Sequence, residues 1–333
     1  MKILFRCNAG KRHGLGHLVR CKALAKEFYE LGHEFFFLIK SDSRDKIIRF
    51  LYDDINVFDT VLILSDNISV EDDIKIVKEY YNKGFSFLIL DHYEHDISYQ
   101  QSLVKDGIRW GQFDYSADKK IEADVVINGN IAITKEKYKS ITKSDAKLCV
   151  GFRYAILPKE IAEAVAQPQK GRILIAMGGG NYPQSIIDII VDIVKDSSFT
   201  FDIVSNDNRL YELMQQVTNV HFHINLKETA FVYGRCECAI VAGGVTTFEI
   251  AALNIPMIII PYVQNQKPNA LAWEKMFFGI TCDNILKFSQ ELQQKGLNYF
   301  INLVNDIAAK KQIRIDGRGA KRVVENIVTL LNK

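Results

Sequence analysis

The sequence predicts an α/β protein built as two doubly wound domains that face one another across a cleft. Three observations lead there. The chain has 333 residues, and at about 150 residues per domain that makes roughly two domains, each able to bury its own core. Apolar runs of strand length alternate with longer stretches of helical period, the signature of βαβ units around a parallel sheet. The pattern also starts twice, each half opening with a short apolar strand, a glycine-rich loop and a helix.

In the first half, strands are expected at residues 3–6, 35–39, 61–64, 87–90 and 125–127. Between the first two, residues 18–31 place Leu18, Cys21, Leu24, Ala25 and Phe28 on one helical face, and Gly32 follows as the C-cap. In the second half, residues 172–176 form a strand that ends in Met177-Gly178-Gly179-Gly180-Asn181, and Pro183 opens a helix running to about Lys195. Later strands are expected at 201–204, 220–223, 239–241 and 256–260, with helices at 246–253, 269–278 and 323–331. The domains are expected to span residues 1–155 and 156–333, with 167–171 as the linker and the last helix able to pack back on the first domain. Ligand sites belong at the carboxyl ends of such strands.

Composition narrows the function. Forty-two Lys and Arg against 40 Asp and Glu leave a formal charge of +2, which argues against a nucleic-acid partner or a coat on an anionic membrane. With 48% hydrophobic and 25% charged residues, the chain has the proportions of a globular protein, not of a disordered one. The N-terminal segment meets Arg6 soon after Lys2, well short of the about 7–15 apolar residues of a secretory signal. No run approaches the roughly 20 apolar residues of a membrane span, so membrane insertion is not expected. The six cysteines are scattered, and without an export signal they are expected as reduced thiols in a cytoplasmic protein.

The strongest chemical signal is Ala242-Gly243-Gly244-Val245-Thr246-Thr247-Phe248-Glu249, which follows one strand and opens an apolar helix. Two glycines let a phosphate approach the backbone closely, and the helix N-terminus offers unpaired amides and a positive dipole end. Thr246 and Thr247 can add hydroxyl donors, and Glu249 could accept from both hydroxyls of a ribose. A plain capped turn would begin in the same way. The amide-rich Gln264-Asn265-Gln266 at the end of the next strand sets a second polar loop beside it and favours a nucleoside-diphosphate site.

The first-half loop, residues 7–17, is rich in Gly, Lys, Arg and His. Gly14-Leu15-Gly16-His17-Leu18-Val19-Arg20 lacks the third glycine of the dinucleotide fingerprint, and no acidic residue ends the next strand, so NAD is not the expected ligand. His17 falls at the start of a helix whose positive end disfavours the imidazolium. A neutral imidazole facing a cleft is a competent general base, though a histidine so placed can equally be a hydrogen-bonding bystander. Asp91-His92-Tyr93-Glu94-His95-Asp96 is expected to line substrate and not to hold metal, because no periodicity aligns His92 with His95. The basic run at 310–322 is expected to be a solvated face.

Taken in order, these segments resemble the UDP-sugar hydrolases of pseudaminic acid biosynthesis and the related spore-coat polysaccharide biosynthesis proteins, relatives of the two-domain GT-B glycosyltransferases. The resemblance is carried by Phe5-Arg6-Cys7-Asn8-Ala9, by Gly14 through Cys21 with Leu24-Ala25, by Asp91-His92-Tyr93 and by Ile127-Asn128-Gly129-Asn130. It continues through Gly151-Phe152-Arg153-Tyr154-Ala155-Ile156-Leu157, Gly178-Gly179-Gly180-Asn181, Gly243 to Glu249, Asn265-Gln266 and Asp316-Gly317-Arg318-Gly319-Ala320. Two departures stand out. Asn8 occupies a position that is usually Asp in the family, and residues 106–120, with Trp110, Phe113 and Tyr115, are unlike the usual segment.

The resemblance implies two facing Rossmann-like domains and hydrolysis of UDP-2,4-diacetamido-2,4,6-trideoxy-β-L-altropyranose to the free sugar and UDP, with no cofactor and no metal. It implies His17 as the catalytic base, with Asn265 beside it at the sugar. Gly16, Arg20, Asp91, Tyr93, Asn130 and Gln266 are expected around the sugar. Gly178, Gly179, Gly243, Gly244, Val245, Thr246, Thr247 and Glu249 are expected around the nucleotide. A nucleoside diphosphate leaves readily, so the chemistry needs amides to stabilise the departing charge and a base to aim water at the anomeric carbon. It also needs the His17 ring to be open, neither buried nor turned aside. A glycosyltransferase of the same build and a non-catalytic nucleotide-sugar-binding module are the alternatives.

Overall fold

The computed structural model describes residues 1–52, 60–178, 182–195, 197–226 and 228–332. They divide into two compact units, Met1–Pro158 with Arg318–Lys333, and Lys159–Gly317. The first unit holds strands β1 (Lys2–Asn8), β2 (Glu34–Ser41), β3 (Val61–Ser65), β4 (Phe87–Asp91), β5 (Trp110–Phe113), β6 (Val125–Asn128) and β7 (Lys147–Val150). Its helices are α1 (Gly16–Glu30), α2 (Arg44–Tyr52), α3 (Val70–Tyr81) and α4 (Ile97–Lys105). The second unit holds strands β8 (Gln169–Ala176), β9 (Thr200–Val204), β10 (Val220–His223), β11 (Cys236–Val241), β12 (Met257–Ile259) and β13 (Gly279–Thr281). Its helices are α5 (Lys159–Glu163), α6 (Gln184–Val194), α7 (Asn208–Met214), α8 (Thr229–Gly234), α9 (Thr246–Ala252), α10 (Lys267–Lys275), α11 (Ile285–Lys295) and α12 (Leu297–Ala308). A last helix, α13 (Gly319–Leu331), belongs to the first unit.

All strand pairs are parallel, in the orders β3-β2-β1-β4-β5-β6-β7 and β10-β9-β8-β11-β12-β13. Both are the doubly wound order 3-2-1-4-5-6, the first with one strand added. Alternation along the central strands builds a core on each face of the first sheet. Leu4, Leu38, Leu88 and Leu90 meet Val77 of α3 and Tyr99 and Leu103 of α4. Ile3, Phe5, Phe37 and Ile89 point the other way, onto Leu24 and Phe28 of α1 and Val323, Val324 and Ile327 of α13.

Three strands are absent from the sequence expectation. Two of them carry glycines that packing requires. In β5 a Cβ on Gly111 would lie 3.2 Å from both Ile89 and Phe87, and in β13 a Cβ on Gly279 would strike the Met257 carbonyl oxygen at 1.9 Å. Such residues break an apolar run, so the strands escape periodicity. The third, β7, is four residues long and begins with an exposed lysine.

The expected linker at 167–171 is not one. Residues 169–171 open β8, the Gln167 N–H donates to the Gly234 carbonyl at 2.8 Å, and the chain crosses between units at Pro158–Lys159 instead. Asp316-Gly317-Arg318-Gly319 makes the return. A Cβ on Gly317 would lie 2.5 Å from that of Ala162, and one on Gly319 would lie 2.0 Å from the Ala155 carbonyl oxygen. The glycines of this motif serve close backbone approach.

Candidate active site

In each sheet the strand order reverses at one point, between β1 and β4 in the first and between β8 and β11 in the second. Ligands of such sheets bind at the carboxyl ends there. Each reversal point carries one of the loops picked out by sequence.

In the first unit, His17 is the second residue of α1 and Asp91 the last of β4. His17 Nδ1 lies 2.7 Å from Asp91 Oδ1. Arg20, three residues on and so on the same helical face, donates from Nη2 to Oδ1 at 2.5 Å and from Nε to Oδ2. Tyr115, just beyond β5, donates its hydroxyl to Oδ1 at 2.7 Å, and the Cys21 thiol approaches Oδ2 at 3.7 Å. The Asp91 carboxylate is fully buried, and this ring of donors compensates its desolvation. The Arg20 guanidinium lies over the Phe113 ring at 4.6 Å and over the Tyr115 ring at 4.8 Å. Arg20 is therefore committed to Asp91 and is not a loose cation awaiting substrate.

Arg20 Nη2 also lies 3.0 Å from Nδ1. A carboxylate can only accept, so the hydrogen shared with Asp91 sits on Nδ1, and in that tautomer the lone pair is on Nε2. Against the expectation of an open ring, His17 is buried, with 6% of its side chain exposed. Tyr93 stands edge-on to it at 5.0 Å and is itself 66% exposed.

Other expected residues of this unit have local duties. Asn130 uses its side-chain oxygen to accept from the Ala132 N–H at 2.8 Å. His92 is buried and accepts from the Glu94 N–H at 3.2 Å, while Asp96 caps α4 through the Tyr99 N–H at 2.9 Å. Of the 91–96 loop, then, His92 and Asp96 shape the turn and Tyr93 is the large side chain that faces outward. Gly16 opens α1 at the surface, with nothing within 4 Å of where a Cβ would stand.

In the second unit, Gly243 and Gly244 join β11 to α9. A Cβ on Gly243 would lie 2.6 Å from the Gln266 carbonyl oxygen, so the loop and the Gln264–Gln266 turn touch backbone to backbone. Asn265 is exposed on that turn, and Gln266 turns its side-chain oxygen inward to accept from the Tyr262 N–H at 3.1 Å. Val245 is exposed and Thr246 half-buried. Among the described residues no hydrogen bond engages the amides of Gly244, Val245 or Thr246. Thr247 departs from expectation. Its hydroxyl is buried, donates to the Gly244 carbonyl at 2.6 Å and accepts from Trp273 Nε1 at 2.7 Å, so it ties down the loop and has nothing to offer a phosphate.

Glu249 is half-buried in α9, and burial together with the Glu160 carboxylate pushes its pKa up to about 7. Gly178 follows β8 with φ +99° and its carbonyl accepts from the Tyr182 hydroxyl at 2.7 Å. Gly179 lies outside the described residues, as do Gly180 and Asn181.

Sequence reasoning missed Tyr115, Asn269 and Trp273 as site residues. Asn269 donates to the Gly243 carbonyl at 2.6 Å and, with Trp273, braces the glycine loop from α10. Its place on the buried face one turn beyond the amide-rich segment was a usable signal. Tyr115 had none, because β5 was not recognised.

No family model matches the chain. Among curated proteins it is 23% identical over 277 residues to the UDP-2,4-diacetamido-2,4,6-trideoxy-β-L-altropyranose hydrolase of Campylobacter jejuni, covering 81% of this chain and 95% of that one. It is 24% identical over 310 residues to a Helicobacter pylori protein named as both pseudaminic acid cytidylyltransferase and that hydrolase, covering 91% of this chain but only 53% of the longer relative. Similar solved structures include MurG of Acinetobacter baumannii, with a TM-score of 0.63 at 13% identity over 99% of this chain and 100% of that one. A UDP-N-acetylglucosamine 2-epimerase gives 0.60 at 11% identity over 100% and 97%. The chain is thus similar in sequence to UDP-sugar hydrolases of pseudaminic acid biosynthesis, and its two parallel sheets are the Rossmann-like sheets of the GT-B glycosyltransferases and epimerases.

Proposed function

We propose that the protein hydrolyses a UDP-linked diacetamido-trideoxyhexose, UDP-2,4-diacetamido-2,4,6-trideoxy-β-L-altropyranose or a close relative, to the free sugar and UDP. The observation that carries this is the His17–Asp91 pair: Nδ1 is held by a buried carboxylate and Nε2 is left as an acceptor. The similarity to the Campylobacter jejuni hydrolase over 95% of that chain supports it.

In this mechanism Nε2 of His17 takes a proton from water as the oxygen attacks the anomeric carbon, inverting it. The bond to the UDP oxygen breaks, and the amides of Gly244, Val245 and Thr246 receive the charge that develops on the departing phosphate. Asn265 is assigned to the sugar. Tyr93, edge-on to the His17 ring, is assigned to the sugar as well. The test is incubation of the pure protein with UDP-sugars in ¹⁸O water and no acceptor. Release of UDP with the label in the sugar supports hydrolysis at the anomeric carbon, and label in UDP overturns it. The fold neighbours favour one other reading, sugar transfer, which would show as UDP release only when an acceptor is supplied.

Glu249 is assigned to the ribose, where it must be ionised to accept from two hydroxyls. With its pKa near 7, UDP affinity is expected to rise with pH and level off above that value, being roughly tenfold weaker one unit below it. The shift works oppositely on the empty protein. A carboxyl raised in the folded state contributes stability that is full below about 4.5 and is lost as pH climbs through about 7. Calorimetric UDP titrations from acid to mild alkali check this, with Glu249→Gln as the control that keeps only the phosphate's own titration.

A further inference from the structure

We infer that Tyr115 is a positioning residue for His17: its hydroxyl donates to the Asp91 oxygen that holds the imidazole and presents a lone pair to the Nδ1–H. The inference rests on the hydrolase reading for its effect on rate, but not for its effect on the ring.

Three atoms make the arrangement. Tyr115 Oη is 2.7 Å from Asp91 Oδ1 and 3.1 Å from His17 Nδ1, and those two are 2.7 Å from each other. The hydroxyl has one hydrogen, and a carboxylate is the stronger acceptor, so that hydrogen goes to Asp91. The remaining lone pair of Oη faces Nδ1. Arg20 Nη2 lies 3.0 Å from the same nitrogen, and it and the hydroxyl could each donate to a bare Nδ1, so the Asp91 oxygen at 2.7 Å decides the tautomer. Tyr115 therefore acts on the ring through Asp91, by holding that oxygen in place.

The tyrosine is itself held at both ends. Its ring face lies 4.8 Å from the Arg20 guanidinium, which also lies over Phe113. Its ring centroid is 5.0 Å from that of Tyr93, with the two rings tilted. A side chain pinned by stacking at one end and by a buried carboxylate at the other can transmit orientation without touching substrate.

Tyr115→Phe keeps the ring and its stacking and removes only the hydroxyl. In the full-length chain it is expected to lower kcat about tenfold, the scale of one hydrogen bond to a charged group, with KM and Tm essentially unchanged. With ¹⁵N-labelled histidine, the His17 ring signals, identified by their loss in His17→Asn, are expected to show a single Nδ1–H tautomer in the wild type. In Tyr115→Phe they are expected to move toward a mixture. Ring signals identical in the two proteins overturn the inference whatever the rate does, and a kcat within twofold of wild type overturns it too. A wild-type ring that is already a mixture overturns it without any variant. If the wild type hydrolyses no UDP-sugar, the hydrolase reading falls, and the ring spectra alone then decide on Tyr115.

Discussion

Replacing His17 with alanine is expected to lower kcat by about a hundred- to ten-thousand-fold, the range that loss of a positioned general base costs, while UDP affinity stays the same. The separation follows from the site. His17 hydrogen bonds with Asp91 and Tyr115 in the first unit, while the glycine loop assigned to the phosphate is in the second. The fold should tolerate the change, because Asp91 keeps its bonds from Arg20 and Tyr115 and is not left bare. Steady-state UDP release and calorimetric UDP binding on the same preparation check it. Undiminished turnover would remove His17 from the chemistry. Normal binding with lost turnover would also dispose of the non-catalytic module as an alternative.

Asp91→Asn should be the more severe change, since it acts on both activity and stability. An amide can place its N–H₂ against Nδ1, which reverses the tautomer and takes the lone pair away from Nε2. On that account kcat is expected to fall by about ten-thousand-fold, the loss known when a carboxylate that orients a catalytic histidine becomes an amide. The amide also leaves the Arg20 guanidinium, 21% exposed, without its counter-charge. Breaking such a pair costs about 3 kcal/mol when one partner still reaches water. Urea denaturation measures that loss. The decisive comparison is the double variant His17→Ala with Asp91→Asn. If Asp91 acts through the ring, the double variant is no slower than His17→Ala alone. A further large loss would mean that Asp91 meets substrate or water directly.

Much of this was legible from the residues. Apolar strands at the reversal points gave both sheets their centres, because buried parallel strands must be continuously apolar and so announce themselves. The resemblance named His17, Arg20 and Asp91 together, and the structure brings the three side chains together. What stayed hidden depended on contacts between distant segments. The strand β5 carries Gly111 for a close approach to its neighbours, and a run broken by glycine and glutamine has no period to read. With β5 unseen, Tyr115 could not be placed beside Asp91. Thr247 shows the converse. A hydroxyl at a helix start after two glycines looks ready for phosphate, and only Trp273 and Asn269, more than twenty residues on, reveal that it is already engaged.

The course of the chain at its end has one more consequence. The helix α13 fills the core of the first sheet with Val323, Val324 and Ile327, yet these residues are translated after every strand of the second sheet. On a ribosome the later half therefore has its full complement of residues before the earlier half does. The nascent first sheet must wait, with one oily face only partly covered by α1, until Gly317 and Gly319 let the polypeptide double back. Cutting the gene in two at the middle would take α13 away from the front piece, whereas residues 159–317 form the second unit in one unbroken stretch.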